Sequence, residues 1–300
     1  MSAMFLEKVS AKAYFIAWAI VRWLPERFAY SFFYFGARIL ARRKPKSVRR
    51  LGSNLAMVVG FKTETEMNIL LLKALNSYMR YWCDTFRFPD WSKERIRKTV
   101  TVRNEHLLMD AIKAGTGVIV SLPHAGNWDH AGAYFCGKGV PLVTVAERLK
   151  PEALFLKFLE YRQSIGMEVL ALDGRSLATL AQRLRSGALV ALVADRDLSR
   201  NGITVDFFGA PARMPAGPAL LAINTGAPLI TAFVSYTDSG IHIDFNPIAV
   251  PLVGSKDEKI SLMVQECANS FAEGIARAPY DWHMLQRIWV DADFVERENA

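Results

Sequence analysis

Near Pro89 the hydrophobic period of this chain changes, and that change limits the fold more than any other feature of the sequence. Up to that point apolar residues recur every three or four positions, through residues 15–21, 28–40, 48–59 and 69–86, which is the period of amphipathic helices. Beyond it, short β-branched runs alternate with helical stretches. Strands are expected at 100–102, 118–122, 142–145, 168–171, 190–193, 204–207, 229–234 and 241–245, and helices at 105–114, 128–137, 153–165, 177–186, 217–225 and 259–276. Such alternation builds βαβ units. The reading is an α/β fold: a mixed central sheet flanked by helices in residues 90–300, with the helical residues 1–89 packed against it. No Pro/Gly/Ser-rich linker, low-complexity tract or internal repeat divides the 300 residues, so one domain spanning 1–300 is expected.

Charge is uneven along the chain. Residues 1–100 hold 19 Lys/Arg and 7 Asp/Glu, whereas the remaining 200 hold 18 and 22. No acidic residue lies between Arg27 and Lys62, an interval that contains Arg38, Arg42, Arg43, Lys44, Lys46, Arg49 and Arg50 beside the aromatic run of Phe32, Phe33 and Phe35. Basic side chains next to bulky apolar ones suit an anionic membrane surface. Nucleic acid is not expected as a partner, because no recognition motif accompanies the charge. The longest uncharged N-terminal runs, 13–21 and 28–37, fall short of the roughly 20 residues a membrane span needs. The expectation is a helical membrane-docking region and a peripheral, monomeric protein on the cytoplasmic face of the inner membrane. The three cysteines, Cys83, Cys136 and Cys267, are widely spaced and form no CxxC, which fits buried thiols in a reducing compartment.

The segment from Val118 to Asp129, V-I-V-S-L-P-H-A-G-N-W-D, carries the chemistry. An apolar strand delivers His124 into a turn of Pro123, Gly126 and Asn127, with Asp129 five positions on. In a continuous helix these two would point roughly 140° apart. The broken backbone allows Asp129 to fold back toward His124, where a carboxylate would fix the imidazole tautomer and support its cation, as a general base requires. The bare spacing is common in a chain with 5 histidines and 29 acidic residues. Its placement at the end of a strand, where α/β sheets hold their ligands, is what singles it out. Two more polar turns follow strands in the same way, at 147–150 and 195–200, and the three are expected to line one pocket.

His124 to Asp129 resembles the H-x4-D/E signature of the glycerolipid acyltransferase superfamily, in its bacterial lipid A biosynthesis acyltransferase branch. Further segments are similar to the actinobacterial members that acylate phosphatidylinositol mannosides: Thr144-Val-Ala-Glu-Arg-Leu-Lys-Pro151, Tyr161-Arg162, Ala194-Asp-Arg-Asp-Leu198, Val205-Asp-Phe-Phe-Gly209, Met214-Pro-Ala-Gly-Pro218 and Asp281-Trp-His-Met-Leu285. The similarity runs from about Tyr14 to Trp289.

The resemblance implies transfer of a long fatty acyl chain from acyl-CoA, a co-substrate, to a mannose hydroxyl of phosphatidylinositol mannoside. His124 would take the hydroxyl proton as the thioester is attacked. Where this sequence has Asp195 the closest pattern has Glu, a partner of the histidine; whether Asp129 or Asp195 orients His124 stays open. Glu147, Arg148, Arg162 and His283 are implied at the acceptor's polar headgroup, Arg162 through a bidentate phosphate contact. Arg196, Arg200 and Arg213 are candidates for the phosphates of the donor's nucleotide. No Gly-x-Ser-x-Gly elbow occurs, no acyl-enzyme is required, and neither a metal nor a resident cofactor is implied. Competing readings keep the mechanism with another glycolipid acceptor or acyl carrier protein as donor, or reduce the chain to a non-catalytic lipid-binding scaffold.

Overall fold

The strands are β1 (Val100–Arg103), β2 (Val118–Leu122), β3 (Leu142–Ala146), β4 (Met167–Ala171), β5 (Leu189–Val193), β6 (Ile203–Phe207), β7 (Ala210–Met214), β8 (Leu229–Tyr236) and β9 (Ile241–Ile248). Seven of them form one sheet in the order β1-β9-β8-β2-β5-β3-β4, while β6 and β7 pair separately as an antiparallel hairpin. Within the large sheet every pairing is parallel except that of β8 with β9. The computed structural model describes residues 18–146, 152–172, 175–197, 199 and 201–290, with only the backbone of 153 and 154.

Strands inside a parallel sheet are covered on both faces, so they read as unbroken apolar runs rather than alternating ones. The five residues of β2 are all buried and show this directly. Ile119 and Val190 point into one core with Phe233, Phe271 and Trp282. Val118, Val120 and Leu122 point into the other, with Phe135, Ile243 and Phe245. A helix at Lys256–Arg277 covers the first face, and one at Trp128–Gly137 covers the second.

Of the helices that precede the sheet, three bear on the site: α1 (Glu26–Arg43), α2 (Lys46–Val59) and α3 (Glu64–Arg87). Lys44, left-handed at φ 42°, ends α1, and Pro45 resets the chain into α2. The capping box of Thr63 and Glu66 starts α3. Helix α1 packs along α3 through Ala29, Phe33 and Ala37, spaced four apart, and turns Phe28, Phe32 and Phe35 to the surface. Phe33, grouped at sequence level with the outward aromatics, is therefore a core residue. Among the described residues no helix is long and apolar enough to cross a membrane.

The expected strands are all present, several longer by one to three residues than their apolar runs. Strand β7 was not anticipated, because Ala210, Pro211 and Ala212 have little β propensity. The hairpin forms anyway: Phe208 and Gly209 both take positive φ at its turn, and Ala212 bridges to Trp289.

One glycine after β2 is required by its surroundings. Gly126 sits at φ +57°, and a Cβ there would lie 2.5 Å from the Val234 carbonyl oxygen. Gly126→Ala is expected to cost about 1–3 kcal/mol of stability, read from urea unfolding. An unchanged midpoint would mean that this turn is not pinned against β8.

Candidate active site

Strands β2, β5 and β3 are neighbours in the sheet and run the same way, so their carboxyl ends stand side by side. His124 follows β2 and Asp195 follows β5. The Asp195 carboxylate is fully buried and its oxygens are committed to specific donors. Oδ1 lies 2.6 Å from His124 Nδ1. Oδ2 accepts from the His124 backbone N–H at 3.0 Å and from the Trp282 indole N–H at 2.9 Å. Burial alone would push this carboxyl up, but the charge of His124 and the donors on it outweigh burial and hold it below the usual range. The His124 side chain is 40% exposed, so an anion buried behind it orients an imidazole that faces out of the sheet.

The histidine's backbone is fastened by a distant segment. Residues 281–283 lie antiparallel to 124–126: Gly126 donates to the Asp281 carbonyl at 2.9 Å, Ala125 bridges to Trp282, and His283 donates to the His124 carbonyl at 2.7 Å. Trp282 is wholly buried. Asp281 accepts from the Ser77 hydroxyl at 2.6 Å and from the Tyr236 N–H at 2.9 Å, which fixes the segment in turn.

Asp129 faces another group. Asn127 caps the helix Trp128–Gly137 by accepting from the His130 N–H at 2.9 Å, and the first turn buries Asp129. There its oxygens meet Arg162 Nε at 2.9 Å and the Tyr81 hydroxyl at 3.3 Å. Arg162 is drawn inside against Asp129. Burial works against its charge, and Asp129 more than restores it. His283 is likewise interior: its Nε2 lies 2.9 Å from Ser77 Oγ, its Nδ1 has no hydrogen-bond partner among the described residues, and burial pushes its pKa down to about 3, so it is neutral. Arg213 stands on β7 and donates to the Gly202 carbonyl at 3.1 and 2.8 Å, while Arg196 is half-buried beside Asp195. Glu147, Arg148 and Arg200 lie outside the described residues.

Sequence reasoning passed over helix α3. Ser77, Tyr81 and Asp84 are all buried and recur at i, i+4 and i+7, one face of the helix. Ser77 reaches Asp281 and His283, Tyr81 reaches Asp129, and Asp84 accepts from Asn127 Nδ2 at 3.3 Å. The available signal was polar residues at helical spacing on the inward side of an apolar pattern. The thiols take no part: burial raises Cys83 and Cys267 to about 12 and Cys136 to about 11.

Beside the His124 turn a narrow apolar cavity opens between the helix Trp128–Gly137 and the sheet. Its floor is made of residues from β9, β8, β2, β5, β3 and β4 in turn, among them Phe245, Ala232, Leu122, Val193, Leu142 and Met167. Trp128, Asp129 and Arg162 also line it. The empty space is about 660 Å³ counting its open mouth, and its bore is narrow. Such a space suits a slender hydrocarbon rather than a bulky ring.

Residues 3–291 match the model of the family described as bacterial lipid A biosynthesis acyltransferase. The chain is 40% identical over 297 residues to a phosphatidylinositol mannoside acyltransferase of Mycolicibacterium smegmatis, covering 98% of this chain and 95% of that one. It is 39% identical over 294 residues to the protein of the same name in two strains of Mycobacterium tuberculosis, covering 96% of this chain and 90% of theirs.

The buried histidines give a pH test. His283 titrates near 3 and His130, beside Thr99, near 4, both depressed first by burial, against about 6.5 in the unfolded chain. The unfolded state therefore takes up more protons across that window. The stability each contributes is full above about pH 6.5 and lost on acidification, by about 2 kcal/mol each at pH 5. His130→Gln is expected to lose less stability than wild type between pH 7 and pH 5 in urea titrations. Equal losses in the two proteins would mean that His130 is not held neutral.

Proposed function

We propose, since the chain belongs to the bacterial lipid A biosynthesis acyltransferase family and is an acyltransferase of that type, that it moves a long fatty acyl group from acyl-CoA to a mannose hydroxyl of phosphatidylinositol mannoside. The observation that carries this reading is the His124–Asp195 pair, set at the sheet's carboxyl edge next to an apolar cavity. His124 Nδ1, facing Asp195, keeps its proton, and Nε2 takes the proton of the attacking sugar hydroxyl. The oxygen adds to the thioester carbonyl, the thiolate leaves, and the proton passes to it. The buried Asp195 anion supports the imidazolium between those events.

The acyl chain lies in the cavity. From β9 to β4 its floor crosses five inter-strand steps of about 4.8 Å, roughly 24 Å in all, the order of an extended long-chain acyl group. Both substrates are lipids, so holding them in register supplies much of the rate. Glu147 and Arg148 serve the acceptor headgroup, and Arg196, Arg200 and Arg213 the donor phosphates; His283 was expected at the headgroup too but, buried against Ser77, is better suited to bracing the His124 turn. Arg162 was expected to clasp a phosphate; buried against Asp129, it is better suited to shaping the cavity mouth.

The test is to incubate purified protein with radiolabelled palmitoyl-CoA and a panel of acceptor lipids and chromatograph the products. Label should appear in a phosphatidylinositol mannoside; label only in another glycolipid would move the assignment to that acceptor. His124→Ala is expected to lower the rate by about 10²–10⁴. Asp195→Asn should lower kcat in a protein that remains folded, because it weakens the imidazolium. Asp129→Asn should act chiefly on stability, by about 3–5 kcal/mol, because it leaves Arg162 buried without its counter-charge. The opposite pattern would make Asp129 the functional partner.

The membrane-facing surface is proposed to be the outer side of α1. Phe28, Phe32 and Phe35 are exposed there, as is Trp23 just before the helix, with Arg27, Arg38, Arg42 and Arg43 on α1. Each basic side chain near an anionic surface contributes about 1 kcal/mol, so reversing Arg38, Arg42 and Arg43 should remove most sedimentation with anionic vesicles. Binding indifferent to that reversal and to salt would place docking elsewhere.

A further inference from the structure

The charge at Asp84 has no part in the chemistry just proposed, yet it is 2% exposed and held by side chains from three separate parts of the chain. Tyr30 of α1 donates to Oδ1. Asn127 of the His124 turn donates to Oδ2 at 3.3 Å, and Tyr236 at the end of β8 donates to the same oxygen at 3.2 Å. Arg80, one turn back on α3, lies 4.1 Å from the centre of the Tyr236 ring and donates to the Thr237 carbonyl at 2.7 Å, bringing positive charge to the cluster. An isolated buried carboxylate is expensive, and this one is tolerable only while its donors stay in place.

Asn127 is the informative partner. Its Oδ1 caps the helix that carries Trp128 and Asp129, and its Nδ2 is given to Asp84, so the side-chain amide is held at both ends. It lies three residues after His124, with Gly126 between them pinned against β8. A shift of Asn127 would carry the His124 turn with it. Burial pushes the Asp84 carboxyl up, and its Tyr30, Asn127 and Tyr236 donors and Arg80 oppose that push.

We propose that Asp84 is a positioning residue: through Asn127 it fixes the turn bearing His124, and through Tyr30 it fastens that turn to helix α1. The proposal rests on the acyltransferase reading for its kinetic readout, but its structural readout does not.

Asn127→Ser and Asp84→Ala in the full chain test it. Serine caps a helix as well as asparagine does but is too short to reach Asp84. Asn127→Ser is expected to lower kcat by about tenfold or more with donor KM within about twofold of wild type, because the base is displaced and donor binding is not. Amide hydrogen exchange should quicken across residues 124–130 while β2 and β5 keep their protection. Because both changes cut one link, the double variant should be no slower than the slower single one. Wild-type kcat and wild-type exchange in a folded Asn127→Ser protein, or strictly additive losses in the double variant, would overturn the proposal. Should Asp84→Ala fail to fold, Asn127→Ser decides alone through exchange and the kcat-against-KM split. Absence of acyl transfer by the wild type would instead count against the acyltransferase reading, and the exchange result would still judge Asp84.

Discussion

The arrangement of the site depends on one buried anion. Asp195 has no solvent to lean on, so its charge persists only because His124 Nδ1, the His124 backbone N–H and the Trp282 indole all point at it. Those three donors come from two structural decisions. The neighbouring of β2 and β5 in the sheet brings the histidine and the carboxylate together. The antiparallel docking of 281–283 on 124–126 brings the indole. Removing one donor would leave a charge in an apolar interior, so the geometry is over-determined where a proposed base needs to be held still.

A second consequence concerns the N-terminal helices. They are not an appendage to an α/β core, since α3 sends Ser77, Tyr81 and Asp84 into the site and α1 sends Tyr30. Helix α1 thus shows one face to Asp84 and another, carrying Phe28, Phe32 and Phe35, to the outside. Apolar exposure of that kind favours a surface that buries it, and the same helix is tied to the His124 turn. Asp129 and Arg162 add an ion pair lining the cavity, in which the carboxylate is buried and the guanidinium is mostly covered.

Much of the fold was legible because secondary structure is written in near neighbours. The strand 118–122 and the helices 128–137 and 217–225 were expected at the bounds they have, since an apolar run or a helical period ends there at Pro, Gly or Asn. Strand β7 escaped because its pairing with β6 outweighs the poor propensity of Ala210 and Pro211. The turn at 124–129 drew attention by its composition. Of the two carboxylates left open as the histidine's partner, Asp195 makes the contact: the helix starts at once after Asn127 and carries Asp129 to Arg162. Asp84 and Ser77 were invisible as site residues, because a polar residue on a helix looks the same whether its neighbour is water or a carboxylate 204 residues away.

The sequence by itself determined the change of period at Pro89, the elements on either side of it, the turn that presents His124 and the basic, aromatic character of α1. All of these follow from interactions between residues a few positions apart, which the order of the chain states directly. Tertiary structure decided which carboxylate meets His124, because that depends on β5 lying beside β2 and not on any spacing along the chain: the two residues are 71 positions apart. It also decided that Asp129 and Arg162 face each other, that 281–283 braces the turn and that α3 supplies the polar stripe. Burial is the physical reason. Once the sheet and helices exclude water, each remaining charge must find a partner inside, and only the packed fold determines which partner is within reach.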